Sequence, residues 1–272
     1  MTSRGKWTGT VNPVRHRRHE FISSLLLTSL LFLRCSEAPE INEEPTGRTI
    51  LAEDFSFARC IYCPYAEEAL DSLFGEYDDS FAVIIYHRRM LGDTLSPAYV
   101  SARESLYQIN ASPTVIFDGT NLVQTEDPNQ DYYVYKNWII HERNIAPQLR
   151  LHLETRLVSA SVNLKLHIVS VDSINNGNYY IFVVLYEDSV YFPQAGAPES
   201  TFSFVMRKMI PDENGIPIDL AYPDSMMIEM DFTLQSNWDT RKLGIVAFVQ
   251  NMASKEVLQA TVNKRIFATT RD

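Results

Sequence analysis

The chain has 272 residues, 45% of them hydrophobic and 21% charged, a globular composition with room for about two ordinary domains. Ten glycines, 13 prolines and three cysteines exclude collagen-like, low-complexity and disulfide-stapled classes. The net charge is −10, and because residues 1–35 hold Arg4, Lys6, Arg15, Arg17, Arg18 and Arg34 against Glu20 alone, the rest of the chain is more acidic still. A surface of that sign repels phosphate backbones, so no nucleic-acid partner is expected.

Residues 1–20 are polar and basic, and Phe21 to Leu33 then runs apolar for 13 residues without a charge. This reads as an export signal, with a short buried helix as the alternative, and it is too short for a spanning helix of about 20 apolar residues. Cys35, directly after the run, resembles the lipidated cysteine that becomes the first residue of mature bacterial lipoproteins. Arg34 departs from the small residues such sites prefer, so ordinary cleavage and an uncleaved anchor stay open beside lipidation. Residues 36–47 (SEAPEINEEPTG) are acidic with two prolines and read as a linker. Extended, it reaches at most about 40 Å, which would hold the folded part just off a membrane.

From 48 to 146, short apolar runs alternate with helical spacing. Residues 49–55 and 81–86 read as strands. A helix is expected after Cys60-Ile61-Tyr62-Cys63-Pro64, with Ala66, Ala69, Leu70, Leu73 and Phe74 on one face, and another within 97–109. Thr114 to Phe117 forms a strand closing on Asp118-Gly119, a hairpin signal. The aromatic segment 132–138 reads as a helix or edge strand packing one domain on the other. Helices between strands imply an α/β layer.

After Pro147 the helical period is lost, and strands are expected at 149–159, 161–170, 179–187, 200–208, 226–234, 243–250 and 256–263. Seven strands in this length suit a β-sandwich, with a barrel as the alternative. The expected organisation is therefore signal 1–35, linker 36–47, α/β domain 48–146 and all-β domain 147–272.

Cys60-x-x-Cys63 is the main chemical candidate. Two cysteines so spaced at a helix start can close a small disulfide ring, and unpaired N–H groups with the positive helix end favour thiolate. Cys60 is expected to be exposed before the helix and Cys63 buried one turn inside, making Cys60 the attacking and Cys63 the resolving thiol. Arg59 adds positive charge beside the pair, and Pro64 suits a first helical turn. Half a zinc site and a purely structural disulfide are the competing readings, but no second cysteine pair completes the metal site, and so short a loop cross-links little chain. No metal and no cofactor are expected.

Ala111-Ser112-Pro113-Thr114 before the strand 115–117 resembles the thioredoxin fold, in which a cis-proline faces the Cys-x-x-Cys and the residue before it pairs with substrate backbone. The resemblance makes Pro113 the cis-proline, Ser112 the contact residue and Tyr62, between the cysteines, a further substrate contact. It also places Asp54 where thioredoxins carry a buried acid that manages protons at the resolving cysteine. A strand-end carboxylate in solvent is the other reading of Asp54. His87 reads as a strand-end polar residue rather than a general base.

Ala52-Glu53-Asp54-Phe55, the Cys-x-x-Cys-Pro, Tyr86-His87, Asp93, Ser101, Arg103, Tyr107 and Ser112 to Gly119 together resemble the twenty-eight-kilodalton outer-membrane protein family of Gram-negative bacteria. Val205 to Asp212 with Gly215, and Ile245 to Asn251 with Glu256 to Ala260, extend the resemblance over about 48–265. It implies an exported, often lipidated, thioredoxin-like domain followed by an immunoglobulin-like sandwich. Arg59 stands where many thioredoxin-fold proteins have tryptophan, and Ile61-Tyr62 matches neither the common reducing nor the common oxidising dipeptide, so redox direction does not follow.

The expected function is a membrane-tethered extracytoplasmic thiol-disulfide oxidoreductase at the periplasmic side or outer membrane, exchanging electrons with protein thiols or disulfides of the envelope. The alternative is an envelope lipoprotein that binds or braces through a thioredoxin scaffold.

Overall fold

A computed structural model of the chain describes residues 47–266 except Asn176 and Leu220. The expected export segment, Cys35 and all of the linker but Gly47 lie outside the described residues. The architecture is mostly β, with three α-helices among the described residues.

The first half runs β1 (Ile50–Ser56), α1 (Cys63–Tyr77), β2 (Phe81–His87), α2 (Val100–Tyr107), β3 (Val115–Phe117), β4 (Asn121–Val123) and α3 (Asp131–Arg143). β1 and β2 pair in parallel, β3 lies antiparallel on the other edge of β1, and β4 follows β3. Both parallel strands are buried along their whole length, as continuous apolar runs require. α1 begins with Cys63 and Pro64, then buries Ala66, Ala69, Leu70 and Leu73 at helical spacing. It packs on β2 and on α3. The β3–β4 turn has Asp118 and Gly119 both in the left-handed region, at φ 44° and 77°. Gly119 is required for space too, since a Cβ there would lie 1.9 Å from the carbonyl oxygen of Lys255.

The second half contains β5 (Leu149–Val158), β6 (Ser161–Ser170), β7 (Tyr179–Glu187), β8 (Val190–Tyr191), β9 (Thr201–Phe202), β10 (Val205–Ile210), β11 (Ile216–Ile218), β12 (Ser225–Thr233), β13 (Leu243–Asn251) and β14 (Val257–Asn263). β12, β6 and β5 form one sheet, and it packs face to face on the sheet of β7 and β13 through Leu164, Leu166, Ile181, Val183, Ile245 and Ala247. The arrangement is two layers rather than a closed barrel.

Strand pairing overturns the expectation of two separate halves divided after residue 146. One sheet runs β14-β13-β7-β10-β2-β1-β3-β4 through both halves. The junction is a parallel bridge of Val205 to Ile85, with Ile85 N–H donating to the Phe204 carbonyl at 2.9 Å. The physical reason lies in β7 and β13, which are apolar on both faces. Ile181, Val183 and Leu185 face the small sheet, while Phe182, Val184 and Tyr186 join the core of the first half with Val246 and Phe248. A strand with two apolar faces needs two covers. The aromatic segment 132–138 is helical, in α3, but packs on α1 within the first half. Its Tyr132 hydroxyl donates to Glu76 at 2.6 Å.

Candidate functional site at the Cys60–Cys63 disulfide

Cys60 and Cys63 are joined by a disulfide, with their Cα atoms 5.4 Å apart. The Cys63 N–H, one of the donors left unpaired at the start of α1, points at Cys60 Sγ at 3.1 Å. Pro64 contributes no further N–H, which costs nothing in this first turn. Cys63 is the first residue of the helix rather than one turn inside it. Both cysteines are buried, at 5% for Cys60 and 1% for Cys63, so the expectation of an exposed Cys60 is corrected to a small difference in that direction. Ile61 and Tyr62 form the exposed rim instead.

Ser112 and Pro113 meet the pair from the loop before β3. Their peptide bond is cis, and the Ser112 carbonyl oxygen lies 3.8 Å from Cys60 Sγ. Arg88 fixes this loop, donating to Ala111 O at 3.0 Å and Ser112 Oγ at 3.1 Å while held by Glu104 at 2.6 Å. Arg59 is exposed, and its guanidinium lies against Gly196 of the β8–β9 loop.

Asp54 is fully buried on β1, which overturns the solvent reading of this carboxylate. Neither of its side-chain oxygens makes a well-formed hydrogen bond, and only the backbone N–H groups of Phe55 and Thr114 pull toward its ionised form. Loss of hydration, then the nearby Glu67 and more weakly Asp131, push its carboxyl well above the usual range. Glu67, four residues after Cys63 on α1, accepts from Ser56 Oγ at 2.5 Å. Burial raises its carboxyl, with His87 and the Ser56 hydrogen bond pulling the other way. His87 ends β2, as expected, but is fully buried: Nδ1 meets Asp93 Oδ2 at 2.7 Å and Nε2 has no partner. Asp93 also accepts from the N–H groups of Ala58 and Leu95, at 2.7 and 2.8 Å. Burial alone would raise its carboxyl, yet His87 and these N–H groups hold it below the ordinary value.

Glu67 escaped the sequence reading. Its signal was an acid on the apolar face of α1, at the spacing that stacks it on Cys63.

Among the described residues no group of three or more His, Cys, Asp or Glu side chains is arranged to hold a metal, and no helix is long and apolar enough to cross a membrane. A pocket of about 630 Å³, lined among others by Thr49, Arg150, His152, His167 and Gln259, shares no residue with the disulfide site.

A family model described as outer membrane protein Omp28 matches residues 100–267. No curated protein matches the chain. HBP35 of Porphyromonas gingivalis is similar in structure, with a TM-score of 0.68 at 15% identity over 85% of this chain and 80% of that one. A protein of Agrobacterium tumefaciens gives 0.54 at 14% identity, covering 84% and 99%. A domain of the outer membrane lipoprotein Omp28 from Porphyromonas gingivalis gives 0.33 at 13%, covering 44% and 88%. At these identities the likeness is one of fold.

Proposed function

The chain belongs to the outer membrane protein Omp28 family, and from that premise we propose that its Cys60–Cys63 site serves thiol-disulfide exchange in a membrane-anchored extracytoplasmic lipoprotein. The segment β1-α1-β2-α2-β3-β4-α3 is read as thioredoxin-like, on the strand order β2-β1-β3-β4 and the position of Pro113. The packed sheets that follow are read as immunoglobulin-like, and Cys35 as the lipidated residue that anchors the chain.

One observation carries the exchange reading: the Ser112 carbonyl oxygen stands 3.8 Å from Cys60 Sγ. A polypeptide lying along the Ser112 backbone has its own sulfur delivered to Cys60, with Tyr62 and Ile61 beside it. Partner thiols or disulfides of the envelope are the substrates, and the two sulfurs carry the electrons without a cofactor.

The second reading is a binding or structural module on the same scaffold. The low exposure of both cysteines favours it, and so does membership of a family described by its place in the outer membrane. The test is to equilibrate the full chain with glutathione redox buffers and measure the Cys60–Cys63 disulfide by mass spectrometry. A midpoint within the range of exchange proteins, about −120 to −270 mV, is expected. A pair that stays oxidised throughout leaves the second reading.

A further inference from the structure

We propose that Glu67 takes the proton of Cys63 when the reduced pair closes: it stands one helical turn from Cys63 on the buried face of α1 and is held by Ser56 Oγ at 2.5 Å. The proposal rests on the exchange reading above and names the group that drives its resolving step.

Residues four apart on a helix are stacked neighbours, about 5–6 Å between Cβ atoms. Cys63 and Glu67 are so placed, and both point inward. The groups facing Glu67 are Asp54 and Ser56 of β1, His87 of β2, Asp93 of the following loop and Glu199 of the β8–β9 loop. Two carboxylates in one dry pocket do not both ionise. Asp54 has only a weak pull from the backbone N–H groups of Phe55 and Thr114, whereas Glu67 accepts from the Ser56 hydroxyl at 2.5 Å. Within the Asp54–Glu67 pair the negative charge therefore rests on Glu67, and Asp54 stays neutral. Only an ionised carboxylate accepts a proton, so Glu67, rather than Asp54, is the base for Cys63.

The step balances. A partner protein joined to Cys60 by a mixed disulfide is displaced when the Cys63 thiol gives its proton to Glu67 and its sulfur attacks Cys60 Sγ. The Cys60–Cys63 bond forms, the bond from Cys60 to the partner breaks, and the partner sulfur leaves with the electron pair as a thiolate. The proton on Glu67 then passes to that thiolate through solvent. The cysteine pair is oxidised and the partner reduced.

The experiment starts from the reduced full chain and adds excess glutathione disulfide. Acid-quenched samples give the amounts of glutathionylated Cys60 and of the Cys60–Cys63 disulfide by peptide mass, from pH 5 to 10. In the wild type, closure at pH 7 is fast. In Glu67→Gln, which keeps the shape and an acceptor for Ser56, it is at least tenfold slower, climbs about tenfold per pH unit and meets the wild type above about pH 9, where the thiol ionises unaided. Ser56→Ala keeps the carboxyl but removes its donor, so its acid limb moves to higher pH. This variant carries the test if Glu67→Gln does not fold. Superimposed profiles for wild type and either variant overturn the proposal alone, as does a larger loss in Asp54→Asn than in Glu67→Gln. A wild type that neither takes up glutathione nor recloses overturns the exchange reading, and the proposal with it.

Discussion

Arg103 of α2 lays its Nη2 against both carboxylate oxygens of Glu53 in β1, at 2.5 and 2.7 Å, and reaches Gln250 of β13 through Nη1 at 2.8 Å. The hydroxyls of Tyr86 and Tyr107 complete the shell of Glu53, at 2.9 and 2.6 Å. The guanidinium carbon sits 5.0 to 5.4 Å from the ring centres of Tyr107, Phe182 and Phe248. One buried ion pair thus fastens α2 to strands of both halves. Desolvation offsets much of what such a pair gains, but removing one partner strands a charge in the core. Glu53→Ala is expected to lose about 3–5 kcal/mol in urea unfolding. Adding Arg103→Met to Glu53→Ala removes the stranded charge and should recover most of that loss. A double variant as unstable as the single one would show that lost packing, not the charge, is the cause.

The continuous sheet predicts one cooperative unit. β7 and β13 bury a second apolar face against the first half, so a fragment of residues 147–272 exposes Phe182, Val184, Tyr186, Val246 and Phe248 together. It is expected to aggregate or to bind hydrophobic dye, and the full chain to unfold in a single transition seen alike by tryptophan fluorescence and far-ultraviolet dichroism. A soluble fragment with a sharp transition of its own would sink this expectation.

How stability varies with pH follows from Asp54. Its carboxyl titrates near 3.9 in the unfolded chain and well above that when folded, because burial leaves it dry and Glu67 adds to the effect. Between the two values the folded state holds a proton that the unfolded state has lost, so this group's contribution falls as pH rises from about 4 toward the folded value. The slope is at most about 1.4 kcal/mol per pH unit. Asp54→Asn removes that slope, so its stability relative to the wild type should improve as pH rises above about 4 and stay level below it. Parallel stability curves for the two proteins would mean that Asp54 ionises in the fold.

Much of this was legible in the sequence. The seven long strand candidates after Pro147 fall within two residues of β5, β6, β7, β12, β13 and β14, with 200–208 divided between β9 and β10. Alternating or continuous apolar runs mark a strand whatever it pairs with. The partner was the harder part. Ile181 to Tyr186 and Ile245 to Val249 are apolar without alternation, and such runs mean two covered faces; a two-sheet sandwich supplies one cover, and the other had to come from the first half. Cys60, Cys63, Ser112 and Pro113 were found because a spacing and a proline mark them. Glu67 and the Arg103–Glu53 pair carry no such mark, since a buried charge is recognised only once its neighbours are known.

The proposed anchor is Cys35. Cys35→Ser should move the protein from the membrane fraction to the soluble extracytoplasmic fraction, and the wild-type mature chain should begin at an acylated Cys35 by mass spectrometry. A soluble cytoplasmic protein that retains Met1 would reject export.

The roles of the two sulfurs can be separated by trapping. Cys60 is the less buried of the two, receives the Cys63 N–H and stands beside the Ser112 carbonyl. Cys63 starts α1 and is covered. A thiolate at Cys60 gains from the unpaired N–H groups of the helix start, and any partner lying along Ser112 meets that sulfur first. On the proposed exchange reading, Cys60 attacks and Cys63 resolves. Without the resolving thiol a mixed disulfide has no internal exit, so Cys63→Ser should accumulate adducts with envelope proteins that disappear on reduction. Cys60→Ser should accumulate few, because its remaining thiol is shielded. Comparing the two variants on non-reducing gels decides the matter: equal trapping would refute the assigned roles, and no trapping by either, in a chain that also fails to exchange with glutathione, would leave the site as a structural disulfide in a binding module.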